Sequence, residues 1–437
     1  MQLTSTPVKK LQGKFTVPGD KSISHRSLIL GAMATGASRV SGLLTGEDVL
    51  HTAEALKQMG VDIVISLTDK TAAIKGVGLH GLKTPKKTLD MGNSGTSARL
   101  LMGLLAGQNI RARFTGDASL SKRPMKRIAE PLEKMGAHMA SEKGPAMTLP
   151  ITVYDERPSL KTITYSLPMP SAQVKSAILL AGLPLSGETH IIEPIPCRDH
   201  TENMLAAMGA DIRIDGTDIY LTGGKKLNAQ EFTVPGDPSS AAFPTVAALI
   251  TSNSEITMEN IGMNPRRNGL FVTLQEMGAD IQIENMRIIG GEPVADLTVR
   301  SSALKGITVP PERAPAMIDE YPVLFVAAAF ATGDTIMRGL HELTVKESNR
   351  LQVMADGLRA AGVSLTLEGD DLTIHGNGRP PMGDVEIDAH LDHRIAMSFL
   401  TLGCASQKPV TITDASPIKT SFPGYVEKMR QLGAVIN

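Results

Sequence analysis

The chain of 437 residues contains no tryptophan, only 3% aromatic residues and two cysteines, Cys197 and Cys404. So few aromatics leave no stacking platforms for bases, and a formal net charge of -1 offers no field for a polyanion such as nucleic acid. Two distant cysteines exclude a disulfide framework and fit a reducing compartment. With no H-E-x-x-H, they also argue against a zinc site. No apolar run approaches the roughly 20 residues that a membrane span needs. The opening "MQLTSTPVKKLQGKFTVPGD" lacks both the apolar core of a secretory signal and the Arg/Ser-rich character of a transit peptide. "GNSGTS" is glycine-rich, yet the chain has neither a P-loop nor a convincing G-x-G-x-x-G after a strand. The expectation is a cytoplasmic protein without cofactor or metal, not bound to nucleic acid or membrane, whose first strand starts by about Lys14.

What the sequence has in abundance is repetition. "LKQMGVDI", "LEKMGAHM", "LAAMGADI", "LQEMGADI", "LRAAGVSL" and "MRQLGAVI" place glycines at Gly60, Gly136, Gly209, Gly278, Gly362 and Gly433, at intervals of 69 to 84 residues. Each phrase reads as the end of an amphipathic helix, stopped by a glycine able to take the left-handed conformation, and then a strand. Each unit also holds a more apolar stretch, such as "SLILGAMATG", "KSAILLAGLPLSG" or "YPVLFVAAAFATG", that predicts a helix buried on all sides. The alternation predicts an α/β protein of six similar units. "FTVPGD" occurs at Phe15 and again at Phe232, about half the chain apart. Read as two Pro-Gly crossings near residues 17–21 and 234–238, these divide the chain into one domain of 1–19 plus 236–437 and another of 20–235.

Small, polar or charged residues precede every apolar helix: "GDKSISHR", "MGNSGTSAR", "PMPSAQVK", "GDPSSAA", "APAMIDEY" and "AHLDHRI". Ser, Asn and Asp there can simply be N-caps. Caps do not account for Lys21, Arg26, Arg99, Lys175 and Arg394, since a cation opposes the helix dipole unless an anion sits with it. "SKRP" and "VKESNR" repeat the pattern at other helix entrances. The resulting candidate cluster is Lys21, Arg26, Arg123, Lys346, Arg350 and Arg394, which suits a small, highly anionic ligand. Arg266 and Arg267 read as an ordinary solvated charge run. Among the cations stand two acids, Asp319 and Glu347, each either a general base or a salt-bridge partner. His25, His200 and His393 lie near the polar termini without a metal-binding arrangement, and His25 reads as a cap or supporting residue.

The stretches "PGDKSISHRSL", "GNSGT", "GDASLSKRPM", "SAQVKSA", "VKESNRL" and "DHRIAM", in this order along essentially the whole chain, resemble the 5-enolpyruvylshikimate-3-phosphate (EPSP) synthases. "PSAQVKSA" and "RDHTE" are similar to the class II bacterial branch. The resemblance implies two domains of three βαβαββ repeats each, an inside-out α/β barrel whose buried helices converge on an interdomain cleft. It implies transfer of the enolpyruvyl group of phosphoenolpyruvate to the 5-hydroxyl of shikimate 3-phosphate, with release of phosphate and no cofactor. Carried across by motif, Lys21, Ser22, Arg26, Ser171, Ala172, Gln173, Arg198, Asp319 and Lys346 would bind shikimate 3-phosphate. Lys21, Gly95, Arg123, Arg350 and Arg394 would bind phosphoenolpyruvate. Asp319 would serve as base, Glu347 would exchange a proton at the methylene carbon, and Lys21 would assist. The resemblance further implies a monomer, and Gly95 implies sensitivity to glyphosate, a phosphoenolpyruvate mimic. Some relatives carry a lysine where this chain has Thr420 in "IKTSFP", so Lys419 receives no catalytic role. Two alternatives stand beside this. One is the sister enolpyruvyl transferase acting on UDP-N-acetylglucosamine, which usually has Lys-Asn at Lys21-Ser22 and a cysteine in the loop "TGDASLSKRP". The other is a non-catalytic phosphometabolite-binding protein, which would not need Asp319 and Glu347 together.

Overall fold

Each of the six repeated glycines closes a helix in the left-handed conformation: φ is 90° at Gly60, 108° at Gly136, 82° at Gly209, 92° at Gly278, 87° at Gly362 and 102° at Gly433. Any side chain there would be strained, and the turn lets a strand start within two or three residues. At the first site Gly60 N–H donates to Lys57 O and Val61 N–H to Leu56 O, which satisfies carbonyls the helix end leaves open. The computed structural model describes residues 1–108, 110–154 and 160–437.

The chain forms two units. One comprises residues 19–234 together with 289–292, the other residues 1–18, 235–288 and 293–437. Within the first, the apolar helices Lys21–Met33, Gly95–Ala106 and Ala172–Gly182 are buried along almost their whole lengths. They pack closely because small residues face each other. A Cβ added to Gly103 would lie 2.4 Å from the carbonyl oxygen of Ala177, so no larger residue fits. Amphipathic helices Glu47–Gln58, Lys126–Met135 and His200–Ala207 follow, each with apolar residues turned to the core.

Strands complete each repeat in one pattern. In the second repeat Leu89–Asp90 pairs parallel with Ala112–Thr115, which pairs antiparallel with Ile151–Tyr154, which pairs antiparallel with His138–Ser141. In the third, Thr164–Ser166, Glu188–Ile192, Asp218–Thr222 and Asp211–Asp215 repeat that order. Six such sheets of three to five strands are present among the described residues.

The other unit has the same parts: apolar helices Pro238–Ile250, Tyr321–Phe330 and His393–Gly403, and outer helices Gly269–Glu276, Arg350–Ala360 and Tyr425–Gln431. Phe243, Phe325, Phe399 and Phe422 are at most 2% exposed in its core. At about 1.5–3 kcal/mol for each large apolar side chain, such burial is the main driving force. Leu3–Thr6 forms a strand well before Lys14, lying antiparallel between Val410–Ile412 and Val435–Ile436. Its partners are some 400 residues away, with Leu3 opposite Ile412, so nothing local marks it as a strand. The strand Gln12–Lys14, which ends just before the first copy of the repeated phrase, and Glu231–Thr233, which runs into the second, are edge strands parallel to their neighbours: Lys14 lies opposite Thr257, and Phe232 opposite Val40.

Candidate active site

In the unit formed by residues 19–234 and 289–292, the starts of three buried helices carry the polar residues. Asp20 caps the first, its carboxylate accepting from Ile23 N–H at 2.9 Å. The adjacent Lys21 ammonium pairs with Asp48 on the neighbouring outer helix. One turn further in, Arg26 is buried. Its guanidinium donates to Thr201 Oγ1 at 2.7 Å, Ser176 Oγ at 2.8 Å and the Ser22 carbonyl at 3.0 Å. All are neutral acceptors. Burial pulls Arg26 down to about 10, Glu202 and Asp20 oppose that, and the Arg198 charge adds to it. The guanidinium stays protonated at neutral pH, with charge available to an added anion.

Ser94 caps the second helix, accepting from Ser97 N–H at 3.1 Å. A chain of hydroxyls links its start to the first helix: His25 Nδ1 lies 2.8 Å from Thr52 Oγ1, which lies 2.6 Å from Ser97 Oγ, itself 2.7 Å from Ser94 Oγ. His25 is fully buried, and burial, reinforced by Lys21 and Arg26, holds its pKa well below the ordinary value. Gly95 opens the helix beneath two guanidiniums. A Cβ added there would stand 3.4 Å from Arg123 Nη1 and 3.5 Å from Arg99 Nη1. Arg123 donates to Asn93 Oδ1 at 2.8 Å. Arg99 donates to the Gln173 side-chain carbonyl, and Gln173 Nε2 donates to Thr96 Oγ1 at 3.1 Å. The second helix is thereby tied to the third, which Ser171 caps through Val174 N–H at 3.4 Å. Ser171, Ala172, Gln173 and Arg198 are all partly exposed.

Lys175 departs from the sequence-based expectation. It is fully buried, and the anions beside it belong to the protein: Glu193 at 2.8 Å and Glu202 at 2.8 Å. Those carboxylates lie 18 and 27 residues away in the chain, so helix-start position alone made it resemble a ligand contact.

In the other unit, carboxylates and cations alternate. Arg350, 1% exposed, donates through Nε to Asp392 at 2.8 Å, through Nη1 to Asp319 at 3.3 Å and through Nη2 to Glu347. Burial works against its charge, but Asp392, Glu347 and Asp319 outweigh it and hold the pKa above its ordinary value. Lys346 Nζ stands 3.5 Å from Asp319 Oδ1. Arg394 Nη1 donates to the Asp319 carbonyl at 2.8 Å and lies 3.4 Å from Glu320 Oε1. Asp319, Glu347 and Lys346 keep between 17% and 22% of their side chains exposed, enough to meet a ligand. Asp319, Lys346, Glu347, Arg350 and Arg394 are therefore brought together in one cluster.

Arg267 is not a solvated charge. It is 4% exposed, donates to Asp237 at 3.0 Å and to Ser239 Oγ at 2.8 Å, and lies 3.5 Å from Glu320. Its neighbour Arg266 stays partly exposed, so a two-residue charge run divides between surface and interior. Sequence reasoning also passed over Asp48, Thr52, Asp237, Glu320 and Asp392. The capping positions of Asp237 and Asp392 were legible, but their second function as counterions was not. Among the described residues, no group of three or more His, Cys, Asp or Glu is placed to hold a metal ion, and no helix is long and apolar enough to cross a membrane.

Comparison with known proteins follows the same lines. The family model described as EPSP synthase (3-phosphoshikimate 1-carboxyvinyltransferase) matches residues 5–429. A 3-phosphoshikimate 1-carboxyvinyltransferase of Parvibaculum lavamentivorans is 55% identical over 437 residues, covering 99% of this chain and 96% of the relative. One of Methylobacterium sp. is 53% identical over 439 residues, covering 99% and 97%. The solved structure of EPSP synthase from Acinetobacter baumannii is similar with a TM-score of 0.89 and 49% identity, covering 100% of this chain and 99% of that one.

Proposed function

The chain belongs to the EPSP synthase family and transfers the enolpyruvyl group of phosphoenolpyruvate to shikimate 3-phosphate, and we propose that the residues described above divide that work between binding and proton transfer. Lys21, Ser22, Arg26 and Arg198 take the acceptor's phosphate end, while Ser171, Ala172 and Gln173 line its ring. Asp319 and Lys346 meet its hydroxyls. Lys21, Gly95, Arg123, Arg350 and Arg394 hold phosphoenolpyruvate. Both substrates are anions that repel each other, so cations at helix starts first supply proximity and then stabilise the departing phosphate.

Protonation of C3 of phosphoenolpyruvate makes C2 electrophilic. The 5-hydroxyl attacks C2 while Asp319 accepts its proton, giving a tetrahedral intermediate. Loss of phosphate, with return of a proton from C3, forms the enol ether. Glu347 is the group that exchanges the C3 proton, and Lys21 supports the charge on the phosphate. The observation that carries this reading is one buried guanidinium, Arg350, holding both Asp319 and Glu347 beside Lys346. A carboxylate so placed stays ionised and oriented, as a general base requires.

The methyl of an alanine at position 95 would stand in van der Waals contact with the guanidiniums of Arg123 and Arg99 and fill the space before them, so we assign Gly95 to the space shared by phosphoenolpyruvate and glyphosate. The two FTVPGD stretches, where the chain passes between its units, serve as hinges at 17–21 and 234–238. We read the enzyme as a monomer, and as cytoplasmic because Cys197 and Cys404 are both buried and not joined in a disulfide, which fits a reducing compartment.

The deciding experiment is phosphate release by Asp319→Asn. Loss of about 10²–10⁴-fold in kcat is the usual worth of a positioned base. Shikimate 3-phosphate binding measured by calorimetry should stay within tenfold. A variant retaining more than a tenth of wild-type kcat would remove Asp319 from the mechanism.

A further inference from the structure

Four charged groups lie buried together around the third apolar helix: Lys175, Glu193, Glu202 and Arg26 are 0%, 2%, 1% and 4% exposed. Their charges balance. Replacing a buried ion pair with apolar residues is often neutral or stabilising, so burial of this set is weak evidence of a stabilising role. Its bonds instead converge on the residues that flank Arg198 and cradle Arg26.

Lys175 Nζ lies 2.8 Å and 3.0 Å from the two Glu193 oxygens, 2.8 Å from Glu202 Oε1 and 3.3 Å from the carbonyl oxygen of Cys197. Glu193 Oε1 accepts from Cys197 N–H at 2.9 Å and from its thiol at 2.6 Å. The residue immediately before Arg198 therefore has its amide, its carbonyl and its side chain all held by this cluster. Cys197 is pushed up to about 12, chiefly by burial, so its thiol is a hydrogen-bond donor and not a nucleophile. Beyond Arg198, the helix His200–Ala207 is joined to Ala172–Gly182 by two successive links. Lys175 pairs with Glu202, and Ser176 Oγ lies 2.7 Å from Thr201 Oγ1. Arg26 sits on the second link, donating to both hydroxyls. Displacing the first link displaces the second, and with it the seat of Arg26.

We propose that Lys175, with Glu193 and Glu202, is a positioning device that sets Arg198 and Arg26 for the 3-phosphate of the acceptor. None of the three touches substrate. They act through the Cys197 backbone on one side and the Ser176–Thr201 pair on the other. The proposal rests on the assignment of Arg26 and Arg198 to that phosphate.

Lys175→Met keeps the stem of the side chain and removes its charge. It is expected to raise the KM for shikimate 3-phosphate about ten- to a hundredfold, as a misplacement near 1 Å does. The KM for phosphoenolpyruvate and the kcat at saturation should move less than about threefold, which is within roughly 0.7 kcal/mol. Competitive binding of shikimate, which lacks the phosphate, should be little changed, so preference for the phosphorylated acceptor falls. Lys175→Arg should recover part of the loss. Glu193→Gln is nearly isosteric and leaves Lys175 its Glu202 partner, and it should give a smaller rise of the same kind if Lys175→Met does not fold. Arg198→Ala separates the two claims. If it leaves the KM for shikimate 3-phosphate unchanged, the assignment of Arg198 fails. If it raises that KM while folded Lys175→Met or Glu193→Gln does not, the positioning role is overturned. Failure of both variants to fold also overturns it, since the cluster would then be structural alone.

Discussion

Arg26 and Arg350 are both buried guanidiniums, one in each unit, and they are held in opposite ways. Arg26 donates to two hydroxyls and a carbonyl, and burial draws its pKa to about 10. Arg350 donates to three carboxylates, which hold its pKa above its ordinary value in spite of complete burial. A cation among neutral acceptors keeps its field for an incoming anion. A cation surrounded by acids also orients them. The first arrangement suits phosphate binding and the second suits acid–base chemistry, although both arginines follow the same rule that a buried charge must be hydrogen-bonded.

The largest effect that tests this contrast is on stability. Arg350→Met leaves Asp392, which is 0% exposed, without its guanidinium, and urea unfolding should report a loss of about 3–5 kcal/mol. Arg26→Met strands hydroxyls and a carbonyl and leaves Glu202 its direct partner Lys175, and it should cost clearly less. Its main effect should be a rise of about ten- to a hundredfold in the KM for shikimate 3-phosphate, the worth of hydrogen bonds to a charged group. Equal stability losses in the two variants, with no change in that KM for Arg26→Met, would break the comparison.

A smaller effect sharpens it within the cationic unit. Gly95→Ala places a methyl between the tips of Arg123 and Arg99 without touching a carboxylate. The inhibition constant for glyphosate should rise about tenfold more than the KM for phosphoenolpyruvate, the range expected for one added carbon in a fitted site. Parallel shifts in both constants would show that Gly95 does not discriminate between them.

The smallest effect concerns pH. His25 stays neutral because it is buried, with Lys21 and Arg26 adding to the effect. The unfolded chain binds a proton at this residue near pH 6.5, whereas the folded chain does so only well below that. Stability is therefore fully present above pH 6.5 and is lost on acidification, by up to about 1.4 kcal/mol per pH unit. His25→Asn should flatten the dependence of unfolding free energy on pH between 6.5 and 5.5. An unchanged slope would mean that burial, with Lys21 and Arg26 beside it, does not hold the His25 pKa down.

The apolar helices were legible because uniform hydrophobicity requires burial on all sides, and the helix ends because glycine alone enters the left-handed region without strain. Five of the six buried helices carry a side-chain cap where the sequence places Asp or Ser: Asp20, Ser94, Ser171, Asp237 and Asp392. The strand Leu3–Thr6 was not legible, since a four-residue segment has its identity decided by pairing with Val410–Ile412. Arg267 was misread for a related reason. Its run looks exposed until Asp237, 30 residues earlier, and Glu320, 53 residues later, are folded against it.

Sequence by itself determined the sixfold α/β plan, the family and the set of charged residues that gather at helix starts. These depend on periodicity, local stereochemistry and motif order, all of which are written within a few turns of chain. Only the tertiary structure decided which cations face protein anions and which remain open to a ligand. Lys175 and Arg26 occupy similar places near their helix starts, yet one is paired to two glutamates and the other is bonded only to neutral oxygens. Coulomb energy depends on distance in space and on burial, and neither quantity is carried by position along the chain.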